Sequence, residues 1–164
     1  MDENVFDDWQ WHLAGSFPRE GAPEQAYIHI GIFVAWLANH DLLATERIRG
    51  DWAAEWTALR DRKAAPSALR EPTQGQLTAE MLTPDGRAFA SAYYAPEYGY
   101  ARDWQRTFGR QAQTYDVPDG WETYARMEPV LDDRYSEWLH AGKPELMHLP
   151  GLIGRLARLF EHRA

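Results

Sequence analysis

A chain of 164 residues, 45% hydrophobic and 26% charged, fits one globular domain with a sizeable core. Its formal charge of −8 argues against nucleic acid or an anionic membrane surface as the partner and admits a basic protein. With no cysteine, disulfides, thiolate nucleophiles and Cys-bound metals are excluded.

Residues 1–26 carry helix breakers at Gly15, Pro18, Gly21 and Pro23. They also carry Phe6, Trp9, Trp11, Leu13 and Phe17, too apolar for a disordered tail, so an irregular arm that packs onto the body is expected. The start, MDENVFDDW, lacks the apolar stretch of a secretory signal. The longest apolar run, Ile30 to Ala38, is too short for a membrane span, so a cytoplasmic location is the expectation.

The stretch YIHIGIFVAWLANH, Tyr27 to His40, is nearly all apolar and predicts a buried central helix over about 25–39. His29, Phe33, Trp36 and His40 share one face, and Ile28, Ile32 and Ala35 lie opposite. Gly31 costs about 1 kcal/mol there relative to Ala, which a close crossing by another backbone would explain. A second helix capped by Thr45 is expected to run to about Lys63, with Ile48, Trp52, Trp56 and Leu59 inward and charges of alternating sign outward.

Residues 64–76 read as a loop with a short turn at Ser67–Glu71, followed by a short helix over Thr78–Leu82. Thr83-Pro84-Asp85 opens a helix that ends at Pro96, and another is expected over about 97–111 with Tyr100, Trp104 and Phe108 in register. Tyr115–Pro118 is extended, and Asp119 with Glu122 has the form of a capping box. Helical segments follow to about Arg126 and from Pro129 to His140, and Pro150 opens a last amphipathic helix.

Together these elements predict a mainly α fold. It is a single compact multi-helix domain over 1–164, organised around the buried helix at 25–39, with little β.

The runs FDDWQWH, GSFP and HIGIFVAWL resemble the N-terminal signature of a family of small uncharacterised bacterial proteins, a domain of unknown function. Leu82 with Gly86 and Phe89, Tyr93-Tyr94, Tyr100 with Asp103, Tyr115, Trp121 with Tyr124, and Arg134-Tyr135 with Trp138 match it in kind. The resemblance covers about 5–139 and leaves 140–164 as a C-terminal extension. It carries no activity. It implies an association with small acidic proteins that neutralise toxins, in the manner of immunity or antitoxin proteins.

His12 and His29 with Asp7 and Asp8 form a His/carboxylate set able to bind a divalent metal such as zinc, although their spacing follows no known ligand motif. The plainer reading has both histidines hydrogen-bonded in the core. No Ser lies in a nucleophile elbow, and no phosphate-binding glycine motif is present. Acidic residues concentrate in 1–29 and 116–137, and Trp and Tyr accompany them, which suits an interface for a basic partner.

The reading ranked first is therefore a non-catalytic protein-binding domain without cofactor. Its interface would use Asp7, Asp8, Trp9, Trp11, Trp121, Asp132 and Asp133, gathered on one surface. The second is a small metal-dependent enzyme or small-molecule-binding protein using His12, His29 and a nearby carboxylate such as Asp8. An aromatic pocket for a small molecule is a third, and the surplus of aromatic side chains leaves room for a homodimer.

Overall fold

The computed structural model describes residues 4–15, 17–18, 20–44, 53–96, 99–109 and 115–147. Two short strands and six α-helices organise them: β1 (Val5–Asp8), α1 (Trp9–Ala14), α2 (Ile28–Asn39), α3 (Ala53–Arg60), β2 (Gln76–Thr78), α4 (Pro84–Phe89), α5 (Tyr100–Phe108) and α6 (Trp121–His140). Short 3-10 turns precede α2 at Pro23–Tyr27 and follow α3 at Pro66–Arg70. The fold is mainly helical, as the apolar periodicities predict.

The N-terminal arm is more regular than its glycines and prolines suggest. β1 pairs antiparallel with β2, Val5 opposite Thr78 and Asp8 opposite Gln76, with a register shift between Val5 and Asp7. Thr78 therefore belongs to a strand rather than to the short helix expected there, and the helical turn is confined to Ala79–Met81. Neither strand shows the alternation of a long amphipathic strand, so three or four residues of sheet were invisible to a period-2 pattern.

α2 is the centre of the domain. Ile28 and every residue from Ile30 to Leu37 are buried. The crossing anticipated at Gly31 is made by the Pro66–Arg70 turn: a Cβ at Gly31 would lie 3.1 Å from the Pro66 carbonyl oxygen and 3.0 Å from the Tyr27 ring. Trp36 stacks on His40 and meets Phe89 and Tyr135, so the core around α2 is largely aromatic. The described part of the second predicted helix is α3, which buries Leu59, while Thr45, Ile48 and Trp52 lie outside the described residues. So do the helix expected from Pro150 and the rest of the chain beyond 147.

One difference from expectation bears on the site. The helix after Thr83 does not continue uniformly to Pro96: α4 gives way to a π-helical turn at Ala90–Tyr94, closed by the Ala95 N–H donating to the Ala90 carbonyl at 3.0 Å. The extra residue per turn rotates Tyr93 and Tyr94 onto separate buried partners.

α6 is unbroken, with Pro129 inside it, where two segments were expected. A Pro in a helix interior costs about 3 kcal/mol. Burial of Tyr124, Met127, Leu131 and Trp138 along one face offsets that cost by holding both halves on the body. Asp119 does not cap α6. It accepts from Ser67, and the helix starts after Gly120 at φ +139°, without a side-chain cap.

α5 and α6 are tied by an ion pair between the buried Asp103 and the partly buried Arg134. Arg134 Nε donates to Asp103 Oδ2 at 2.7 Å and Nη2 to Oδ1 at 3.3 Å, while the Tyr93 hydroxyl donates to Oδ2 at 3.0 Å. No helix among the described residues is long and apolar enough to cross a membrane.

Candidate metal centre

β1 ends in two consecutive aspartates, and both are buried. They have different tasks. Asp8 caps α1: its Oδ1 accepts from the Gln10 N–H at 2.8 Å, and its Oδ2 accepts from Gln76 Nε2 at 2.7 Å. Asp7 turns towards α2. Its Oδ1 accepts from the Asp8 N–H at 2.8 Å and its Oδ2 from the Tyr94 hydroxyl at 2.5 Å, the bond that the π-helical turn makes available.

α1 then carries His12 back over Asp7. His12 Nε2 lies 2.8 Å from Asp7 Oδ1, and His12 Nδ1 lies 3.2 Å from the Tyr115 hydroxyl. From the first turn of α2, His29 Nε2 comes within 3.3 Å of Asp7 Oδ2 and 3.1 Å of His12 Nε2. The two imidazoles meet edge to face, with centroids 4.4 Å apart. The His12 side chain is 26% exposed, and Asp7 and His29 are each 12% exposed, so solvent reaches the cluster at its His12 side.

The electrostatics follow from this packing. Burial alone would push the Asp7 carboxyl up, but hydrogen bonds and charge from His12 and His29 outweigh it and hold the group well below the usual carboxylate range. Burial pushes His29 down, more than Asp7 raises it, so its imidazole is neutral at neutral pH and keeps a lone pair. With one proton on each Nε2, hydrogen bonds to Asp7 can be drawn. They set two N–H dipoles side by side at a nitrogen separation of 3.1 Å. A cation between them would instead be met by two imidazole lone pairs and a carboxylate.

The separations agree with that. Four-coordinate zinc with bonds of about 2.0–2.1 Å has ligand–ligand edges of about 3.3 Å. Here the two nitrogens are 3.1 Å apart, and each has a different Asp7 oxygen near it, Oδ1 at 2.8 Å from His12 and Oδ2 at 3.3 Å from His29, each distance within about half an ångström of that edge. Tyr94 on Asp7 and Tyr115 on His12 are the outer partners that orient such ligands.

The sequence named His12 and His29 with Asp7 and Asp8 and favoured Asp8 as the carboxylate; the fold brings Asp7 to the two histidines instead, because Asp8 is spent on capping α1. Tyr94 and Tyr115 were legible only as aromatic residues, because nothing local signals the π-helical turn that aims Tyr94.

The proposed interface residues have different surroundings. Trp9 lies under the Arg70 guanidinium and over Gly75, Trp11 is 43% exposed, and Trp121 donates to the Ala64 carbonyl at 2.8 Å. Asp132 accepts from Trp36 Nε1 at 2.8 Å and faces His40 Nε2 at 3.1 Å, while Asp133 is exposed on α6. Asp7 and Asp8, being buried and bonded inward, offer no charge to a surface shared with Asp132 and Asp133.

A separate cleft of about 530 Å³ opens at the far end of α2 beside Asn39, Trp56, Arg60 and Glu128, and none of the three cluster residues lines it.

A family model described as a domain of unknown function (DUF7832) matches residues 5–117, more than half of the chain. The chain belongs to this family. No curated protein and no solved structure shows significant similarity to it. The DUF7832 span contains Asp7, His12, His29, Tyr94 and Tyr115 and stops short of α6. Trp121, Tyr124, Arg134, Tyr135 and Trp138 therefore lie outside the matched span, although α6 completes the core.

Proposed function

We propose that this DUF7832 protein is a metal-binding protein in which Asp7, His12 and His29 hold one divalent transition ion of the zinc type, with at least one position left for an exchangeable ligand. The observation that supports this is the convergence of one Lewis-basic atom each from Asp7 on β1, His12 on α1 and His29 on α2, all within 4.8 Å of one another. Two imidazoles and a carboxylate favour zinc, iron, cobalt or nickel over magnesium or calcium. Three protein ligands rather than four are the pattern of a reactive site, where the ion polarises a bound oxygen or lowers the pKa of bound water.

The test is metal content and zinc affinity of untagged protein, for wild type and for Asp7→Asn, His12→Ala and His29→Ala. One equivalent, lost in each variant while the fold persists, supports the proposal. A wild type that takes up no stoichiometric metal from zinc, cobalt or iron(II) overturns it.

A second reading, an interface for a basic protein, draws on the exposed Trp11 ring and on exposed acids such as Asp133. It ranks below the metal reading because Asp7 and Asp8 are committed inside the fold. Charge reversal at Asp132 and Asp133 tests it: weaker binding to a basic partner with a smaller salt dependence is the expected result.

A further inference from the structure

Trp104 Nε1 is, among the described residues, the buried side-chain polar atom left without a hydrogen-bond partner. An indole N–H is a donor only, and burying one unpaired forfeits its hydration, so an acceptor is owed to it. The ring that carries it packs on the His29 side of the cluster. Tyr100, one turn earlier on α5, donates its hydroxyl to the His29 carbonyl at 2.7 Å. The same face of α5 carries Trp104 onto His29, with ring centroids 6.1 Å apart and the planes at 64°. The other rings beside it, Tyr100 and Phe108, offer no carbonyl or carboxylate.

Resting on the metal reading above, we propose that the Trp104 indole N–H donates to an oxygen atom of the metal's exchangeable ligand, and that the site takes carboxylate ligands. The charge count points the same way. A divalent ion with the Asp7 carboxylate and two neutral imidazoles keeps one net positive charge, and an unpaired N–H donor on the ring next to His29 would complete a receptor for an anionic oxygen.

The test uses the full chain loaded with cobalt(II), with acetate as the probe and the visible absorption of the cobalt as the readout. Trp104→Phe keeps the ring and removes the donor. It is expected to weaken acetate binding about tenfold while leaving cobalt affinity unchanged. Equal acetate affinity in the two proteins overturns the inference and leaves the metal reading standing. Failure of wild type to bind cobalt overturns both.

The indole N–H resonance of Trp104 in ¹⁵N-labelled wild type gives a second readout, which holds even if Trp104→Phe does not fold. It should move when acetate is added to the zinc-loaded protein and stay fixed when acetate is added to the zinc-free protein. A resonance that ignores acetate in both overturns the inference.

Discussion

Removing the Arg134 cation while keeping the length of its side chain, as in Arg134→Met, isolates the cost of a buried unpaired carboxylate. The Asp103 side chain is 4% exposed and that of Arg134 is 15% exposed. Burial opposes the charge on Arg134, but the carboxylates of Asp103 and Glu137 outweigh it and hold the guanidinium more firmly protonated than usual. Without it, Asp103 keeps the Tyr93 hydroxyl and the half-exposed Arg106, whose Nη1 stands 3.4 Å away, too long for a strong bond. Breaking a buried pair from one side costs about 3–5 kcal/mol, and Arg106 can return part of that, so about 3 kcal/mol is expected.

Urea unfolding followed by Trp fluorescence reads it. With a slope of about 2 kcal/mol/M, the midpoint should fall by about 1.5 M. The double variant Asp103→Leu with Arg134→Met removes both charges and should recover more than half of the loss. A midpoint shift below about 0.5 M in the single variant, or no recovery in the double, would refute the reasoning.

Three further outcomes follow from the same contacts. Tyr94→Phe removes an outer-sphere bond to Asp7 and should weaken zinc binding about 10–100-fold in a competition titration, with the fold intact. In the metal-free protein, the unfolded chain takes up a proton on His29 below about pH 6.5 that the folded chain resists, so stability should fall as pH drops through that range. Asp7, held low in the fold, adds a second loss below about pH 4, which Asp7→Asn should abolish in urea midpoints measured across pH. Gly86→Ala would place a Cβ 2.3 Å from the Leu42 carbonyl oxygen, a backbone atom that cannot swing aside. About 2 kcal/mol, or roughly 4–8 °C in Tm, should be lost in a thermal melt.

By itself, the sequence determined what depends on composition and local order. An apolar stretch with no polar face had to be a buried helix, and α2 is one. Gly31 inside it required a neighbour too close for a Cβ, and the Pro66 carbonyl is that neighbour. Thr83 before Pro84 had to start a helix, and its hydroxyl accepts from the Gly86 N–H at 3.1 Å. It also named His12 and His29, with Asp7 and Asp8 beside them, as a set whose chemistry suits a metal, although it favoured Asp8 as the carboxylate.

Tertiary structure decided the rest, because the deciding contacts join residues that no local pattern links. Asp7 and Asp8 are neighbours of the same type, yet the register of β1 against β2 sends one to the histidines and the other to the cap of α1. Helical propensity splits the chain at Pro129, but a buried face on both sides of it keeps α6 whole. The π-helical turn that lays Tyr94 on Asp7, 87 positions away, and the orphaned indole of Trp104 beside His29 follow from how α2, α4 and α5 pack together. A sequence can state which donors and acceptors exist. Only the packed chain fixes which of them meet and which one is left waiting for a ligand.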